Sequence, residues 1–420
     1  MKKYLYPADI YLPDFSKIDG NKWATVACDQ FTSQPEYWEK ARSIVKDSPS
    51  ALNVILPEAY LSEAEERIPQ INKTMKEYLS DVLVCHKNTM IYLERTQSDG
   101  KIRRGIVGAV DLEEYDFSKG SQSLIRATEG TVLDRIPPRV KIRRDADIEL
   151  PHIMILIDDA DKTVIEPICA RSSEYRTAYD FDLMLGGGHV VGKFIPEDDA
   201  EKINASLESL ATSDKMLEKY GINCAPLLFA MGDGNHSLAT AKSLYETLKQ
   251  EIGEEKAKSH PARYALCEIV NLHDEALEFE PIYRVVFGVE PESFVAELEE
   301  YAQKLCGASD TEQVINYTFG DTSGQIMIKS PECELTVGSV QEFLDRYVSE
   351  HKGVEVDYIH GLDSVYALAK KDNTVGLTFD GMGKNQLFRT VICDGALPRK
   401  TFSMGHAEDK RYYIECRKIK

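Results

Sequence analysis

Leu227-Leu228-Phe229-Ala230-Met231-Gly232-Asp233-Gly234-Asn235-His236-Ser237-Leu238 joins a short apolar run to a glycine-bracketed aspartate and then to a segment with helical spacing. Residues 226–231 have strand length. Beyond the loop, Leu238, Ala241, Leu244, Tyr245 and Leu248 fall on one helical face. The stretch therefore reads as strand, tight loop and helix. The two glycines let the backbone turn sharply and approach a ligand closely. The first turn of the helix offers unpaired N–H groups and the positive end of the helix dipole, so a docked phosphate or carboxylate accepts several hydrogen bonds there. Gly232, Gly234, Asn235 and Ser237 would hold such an anion, with Asn235 also able to cap the helix. His236 can bind an anion or relay a proton. Asp233 can bind magnesium or a substrate hydroxyl. The same residues also describe a well-capped helix with nothing bound, its aspartate bonded to its own loop.

Working outward, residues 23–28 read as a short buried strand, followed by a helix over 35–45 and a charged-faced helix over 57–79. Strands are expected over 89–95 and 105–112, joined by the turn-rich Ser98-Asp99-Gly100. Residues 126–144 form a basic segment interrupted by Pro137-Pro138. A strand follows over 152–158, and Gly186-Gly187-Gly188 turns into another over 189–195. Residues 197–210 and 236–249 are helical by apolar spacing, and 264–272 is a strand. Residues 251–258 read as a solvated helix end. Past about residue 290 the pattern changes to a helix over 292–305, a strand pair near 325–336, a helix over 340–348, and strands over 375–379 and 387–393. The expectation is an α/β protein with an α+β mixed sheet. Its core spans 1–290, and a smaller C-terminal α+β unit spans 291–420, as suits a chain of 420 residues.

Hydrophobic residues make up 43% of the chain, enough to pack a core, while the net charge of -20 opposes nucleic-acid and anionic-lipid surfaces. An anionic small ligand feels only the field of its own pocket and stays allowed. The nine cysteines are scattered, with no Cys-x-x-Cys pair, which suits free thiols in a reduced, cytoplasmic compartment. No apolar run has the length of a signal peptide or a membrane span. Gly187-x-x-x-x-Gly192-Lys193 approaches a phosphate-binding P-loop, but Phe194 replaces the magnesium-binding hydroxyl and the segment reads as turn plus strand. The histidines show no metal-ligand spacing, and His152, His273, His360 and His406 read as structural or exposed. No Gly-x-Ser-x-Gly nucleophile elbow is present.

Several short motifs occur in a familiar order. Met231-Gly-Asp-Gly-Asn-His-Ser-Leu-Ala-Thr-Ala-Lys242 resembles the signature of the domain-of-unknown-function 1015 family, which usually reads Ala-Asp-Gly-His-His-Arg-Tyr-Glu-Thr-Ala. Val26-Ala-Cys-Asp29 with Glu36-Tyr-Trp38, Arg126-Ala-Thr-Glu129-Gly-Thr131, Gly188-His189, Glu280-Pro281-Ile-Tyr-Arg284-Val285 and Leu397-Pro398-Arg399-Lys400-Thr401-Phe402 are similar to its other elements. The loop is also similar to that of the ParB/sulfiredoxin-like superfamily, where it holds nucleotide phosphates and whose members include free-serine kinases. The resemblance thus implies a ParB/sulfiredoxin-like core that binds ATP or ADP with magnesium.

Two activities are compatible with that likeness. One is a nucleotide-dependent kinase acting on a hydroxy metabolite such as a hydroxy amino acid. The other is a non-catalytic nucleotide- or metabolite-binding regulator. The sequence departs from the pattern at Asn235 and at Ser237, which stands where the family has its loop arginine, removing a bidentate phosphate clamp. Arg126, Arg139, Arg284 and Lys400 are the candidates to replace that charge. Glu129, beside Arg126, is the candidate general base, although a surface ion pair would look the same.

Overall fold

The apolar run before the loop becomes the strand Phe229–Asp233, and the helix after it runs Asn235–Ile252. The strand lies parallel to Ile125–Arg126, with Phe229 opposite Ile125, and antiparallel to Met154–Ile157, with Met231 opposite Ile155. Met154–Ile157 is in turn parallel to Tyr264–Asn271. Strands of both senses therefore meet at the centre of one sheet, and the chain is a mixed α/β protein. The computed structural model describes residues 2–130, 136–307 and 311–420. It divides into two compact units, Met1–Leu277 with His406–Lys420, and Glu278–Gly405. The pattern change near residue 290 falls just after the strand Phe279–Phe287, which already belongs to the second unit.

Among the described residues, the first unit holds a twelve-stranded sheet. From the central strands it continues through Ile102–Asp111, Leu83–Thr96, Ala8–Pro13, Cys416–Lys418 and Ile148–Glu149. Both faces are buried. Along Leu83–Thr96, Ile91 and Leu93 enter one hydrophobic cluster while Met90 and Tyr92 enter the other. The period-2 alternation of a strand thus fills two cores, which is why these strands read as continuous apolar runs. Helices Pro35–Val45 and Ala64–Asp81 cover the first face through Trp38, Ala41, Ile71 and Met75. Helices Glu197–Leu210 and Asn235–Ile252 cover the second through Ile203, Leu207, Leu238 and Tyr245.

Charged side chains are also built into the sheet. Glu268 is fully buried and receives Arg103 Nε at 3.3 Å and Arg411 Nη1 at 3.0 Å. Arg411 extends the chain to Glu415 at 2.6 Å, and Glu415 also accepts the Tyr179 hydroxyl. Glu149 forms a second group, with Arg417 Nε at 2.7 Å, the Leu266 amide at 2.9 Å and Arg143. Burial pushes the Glu149 carboxyl up, but Arg417, Arg143 and the Leu266 N–H outweigh it and hold the group below its ordinary value of 4.5. A carboxyl lowered on folding contributes stability in full above its unfolded value and loses it as pH falls through the folded one. Glu149→Gln is therefore expected to cost about 2 kcal/mol at neutral pH. The cost should shrink when urea denaturation is repeated at progressively more acidic pH, and a pH-independent difference would contradict this assignment.

The second unit holds a sheet ordered Thr322–Ile328, Gln313–Phe319, Thr374–Thr378, Phe279–Phe287, Glu355–His360, with Phe402–Met404 added against Phe279–Pro281. Two local expectations change here. The strand pair is the hairpin Gln313–Phe319 and Thr322–Ile328, and the helix Thr336–Glu350 starts where the second strand was expected to end. Residues 387–393 belong to the helix Lys384–Cys393. Its β-branched residues suggest a strand, but Leu387, Phe388 and Val391 are buried at helical spacing. The Gln386 side chain also accepts the Gly383 amide at 2.7 Å, closing the helix start. In the first unit, residues 23–28 shorten to Thr25–Val26 because Gly20–Trp23 is a helical turn capped by Asp19. The helix expected over 57–79 divides into a 3-10 turn, Glu58–Glu63, and the helix Ala64–Asp81.

Candidate functional site

Gly234 has φ 79°, in the left-handed region, and immediately precedes the Asn235–Ile252 helix. A Cβ there would sit 3.1 Å from Ile153 Cα, so both backbone conformation and close packing require glycine. No side chain caps the helix. Asn235, expected as a possible cap, is its first helical residue, and its Oδ1 accepts the Thr128 amide at 3.4 Å. Asp233 Oδ1 accepts the Gly234 amide at 2.8 Å, and its other oxygen lies 3.4 Å from Lys410 Nζ. The Ser237 hydroxyl is 3.1 Å from His152 Nε2. His236, the next-but-one residue after Gly234, accepts the Thr240 hydroxyl on its backbone carbonyl at 2.7 Å.

Behind Ser237 stands a buried polar array. His152 Nδ1 is 2.8 Å from the Tyr413 hydroxyl, which also accepts the Cys28 amide at 3.2 Å. Asp29 Oδ2 lies 3.8 Å from the His152 Nε2 that faces Ser237. Because acid and hydroxyl approach the same ring nitrogen, the geometry differs from a serine-hydrolase relay, which uses opposite nitrogens. Burial would raise the Asp29 carboxyl, yet the His152 ring, the Gln30 amide, its own N–H and Lys410 together hold it below the usual range. It stands there as an anion. Burial pushes the Tyr413 phenol well up, and the Cys28 thiol up to about 12, so the thiol is no nucleophile at neutral pH.

The sequence-selected residues fall into three groups. Arg126 ends the strand Ile125–Arg126, which pairs with the strand leading into the loop, and Glu129 lies three residues further on. Arg126 is buried, and donates to the carbonyls of Ser123 at 2.9 Å and Ala225 at 3.0 Å, anchoring the chain that enters Phe229–Asp233. Glu129 is half-buried and follows Thr128, whose hydroxyl donates to the Met231 carbonyl at 2.8 Å. Thr131 of the same motif lies outside the described residues.

Arg139 belongs to the helix Ile136–Arg144, which packs along Asn235–Ile252, and pairs with Glu58, whose amide bonds the Cys28 carbonyl at 2.8 Å. Arg284 and Lys400 belong to the second unit. Arg284 is fully buried there and donates to Gln341 Oε1 at 3.0 Å and to the carbonyls of Arg399 at 2.9 Å and Lys400 at 3.1 Å. The Lys193 ammonium donates to the Ser172 carbonyl at 2.9 Å from within the strand His189–Ile195, so this segment has no loop-to-helix geometry. Among the described residues, no group of three or more His, Cys, Asp or Glu side chains is placed to hold a metal ion.

Sequence reasoning did not select Lys410, His152 or Tyr413. Asp29 carried a signal only through its motif with Val26. What the fold and site define is a mixed α/β protein with a glycine-bracketed helix-start loop backed by a half-buried acid and by buried imidazole and phenol groups. Residues 13–415 match the model of a family described as a protein of unknown function, DUF1015, and the chain belongs to that family. The comparison with curated proteins returns no match. Among solved structures, a free serine kinase in complex with AMP is 12% identical with a TM-score of 0.36, over 74% of this chain and 91% of that one. A conserved hypothetical protein from Pyrococcus furiosus is 13% identical with a TM-score of 0.31, over 72% and 96% respectively. SbnI with a C-terminal truncation, from Staphylococcus aureus, is 11% identical with a TM-score of 0.33, over 71% and 82%.

Proposed function

We propose that the 232–237 loop binds the phosphates of a nucleotide and that the protein transfers a phosphoryl group to a small hydroxy metabolite, such as a hydroxy amino acid. The observation that carries this reading is the left-handed Gly234 opening an uncapped 18-residue helix, with Lys410 beside the preceding aspartate. A tight glycine turn packed against Ile153 that opens directly into a helix without a side-chain cap suits a phosphate. The ParB/sulfiredoxin-like likeness of the loop sequence supports the same ligand. A magnesium-bound ATP or ADP supplies the phosphoryl group and part of its charge neutralisation. The chain supplies positioning and electrostatics, which is what phosphoryl transfer chiefly requires. Gly232, Gly234, Asn235 and Ser237 form the cradle, and Lys410 offsets charge where the family's loop arginine is missing. Asp29 is the anionic acceptor for a substrate hydroxyl proton, with Glu129 or Asp233 orienting that hydroxyl and His152 keeping Ser237 in place.

The specific observation favouring a non-catalytic nucleotide-binding regulator is Ser237 itself, whose hydroxyl is engaged by His152. Incubation with magnesium and ATP or ADP, with and without a pool of hydroxy amino acids and sugars, separates the two readings. Acceptor-dependent turnover supports the kinase, tight binding without turnover supports the regulator, and absence of nucleotide binding overturns both. Asp29→Asn is expected to lower turnover about 100-fold with nucleotide affinity nearly unchanged. Lys410→Met should weaken nucleotide binding about tenfold by calorimetry, as suits loss of one charge-assisted contact.

A further inference from the structure

A second concave site lies in the first unit and shares no residue with the 232–237 loop. Helices Pro35–Val45 and Ala64–Asp81 flank a cleft of about 550 Å³, within the range of small-molecule sites. Leu52, Ile55, Pro57 and Ile71 give it apolar walls, and Arg42 and Arg67 both line it. Trp38, another lining residue, is only 2% exposed, and its indole Nε1–H has no hydrogen-bond partner. That nitrogen is buried, so the exposed edge of Trp38 offers the cleft a flat apolar surface and no free polar group.

The charges point the same way. Arg67 donates to Glu63 Oε2 through both Nη2 at 2.6 Å and Nε at 2.7 Å, leaving Nη1 for a ligand, and stacks over the Tyr60 ring at 4.4 Å. Arg42 donates to the neutral Asn53 Oδ1 at 2.6 Å and forms no ion pair among the described residues. Burial first, and then the like charge of Arg67, hold its guanidinium below the ordinary range. The exposed Glu39 is the one carboxylate that lines the cleft. Acidic side chains outnumber basic ones 70 to 50 in this protein, whereas the lining of this cleft holds two guanidiniums to one carboxylate.

We infer that this cleft binds a small organic anion, a carboxylate- or phosphate-bearing metabolite whose charged group bridges Arg42 and Arg67 and whose apolar body lies against Trp38 and Ile71. Planar guanidiniums match both anions bidentately. The inference does not depend on the nucleotide reading of the loop.

The chain contains two tryptophans, Trp23 and Trp38, and Trp23 is buried with its Nε1 bonded to the Ile414 carbonyl at 2.9 Å, so intrinsic fluorescence reports on the cleft. Succinate and inorganic phosphate are titrated separately into the full chain, the Arg42→Gln and Arg67→Gln variants, and Lys410→Met. A saturable change with either probe is expected, its Kd raised about tenfold in each arginine variant and unchanged in Lys410→Met. Response to succinate alone identifies a carboxylate ligand, and response to phosphate alone a phosphate ester. Circular dichroism confirms that the arginine variants fold. The proposal is overturned if neither probe gives a saturable change below about 20 mM, a concentration at which binding is too weak to matter. It is equally overturned if Arg42→Gln leaves the Kd unchanged, or if Lys410→Met abolishes the signal and so places it at the loop.

Discussion

Gly234→Val is expected to abolish nucleotide binding while leaving a folded but weakened protein. The native residue has φ 79°, a conformation that β-branched side chains scarcely adopt. Forcing valine into it costs about 2 kcal/mol in backbone strain. The first added carbon also meets Ile153 Cα at 3.1 Å, and that backbone atom has little freedom to move. In the reading proposed above, the strain and the clash with Ile153 would shift the turn and misalign the helix-start N–H groups that hold the phosphate, so affinity should fall more than about 100-fold. Gly234→Asn separates the two effects, because asparagine tolerates the left-handed region better than valine and should recover part of the lost stability. Undiminished nucleotide affinity of the valine variant by calorimetry would remove the loop from the site.

Glu268→Ala is expected to be the most destabilising single change in the first unit. The carboxylate is wholly enclosed and is the shared partner of Arg103 and Arg411, both nearly inaccessible. Deleting it leaves two buried cations facing each other across a cavity, and breaking such a pair costs about 3–5 kcal/mol. Glu415 still meets Arg411 at 2.6 Å, but among the described residues Arg103 keeps only the Asp409 carbonyl at 3.0 Å. Gly105 belongs to the same design, since a Cβ there would stand 2.6 Å from Glu268 Oε1. Urea denaturation measures the effect, and a loss below about 1 kcal/mol would mean that the network contributes no more than a surface pair.

Amphipathic periodicity made much of the first unit legible. The helices Pro35–Val45 and Glu197–Leu210 and the strand His189–Ile195 appear with the limits expected from their apolar spacing and flanking prolines and glycines. Lys384–Cys393 is ambiguous in sequence because a short run of mixed apolar and β-branched residues fits either period, and tertiary packing selects the helix. At the site, glycines around Asp233 announce a turn whatever surrounds them. His152, Lys410 and Tyr413 carry no local signature. A lone histidine and an aromatic pair acquire meaning only when the sheet brings distant segments together. Lys410, the cation 3.4 Å from Asp233, is not distinguished from other lysines by the spacing of its own neighbourhood.

The return of residues 406–420 to the first unit bears on how the protein is made. Cys416–Lys418 lies between Ala8–Pro13 and Ile148–Glu149, and the same segment brings Lys410, Arg411 and Tyr413 to their partners. During synthesis the second unit emerges whole and can fold on the ribosome, because Glu278–Gly405 is continuous. The first unit must wait with an open seam in its sheet and an unmatched Glu268 until the later residues leave the exit tunnel. A nascent chain halted anywhere before His406 therefore displays an unfinished sheet edge, a surface that chaperones and proteases recognise. The surroundings of the 232–237 loop are thus completed only after residues 406–420 have been made.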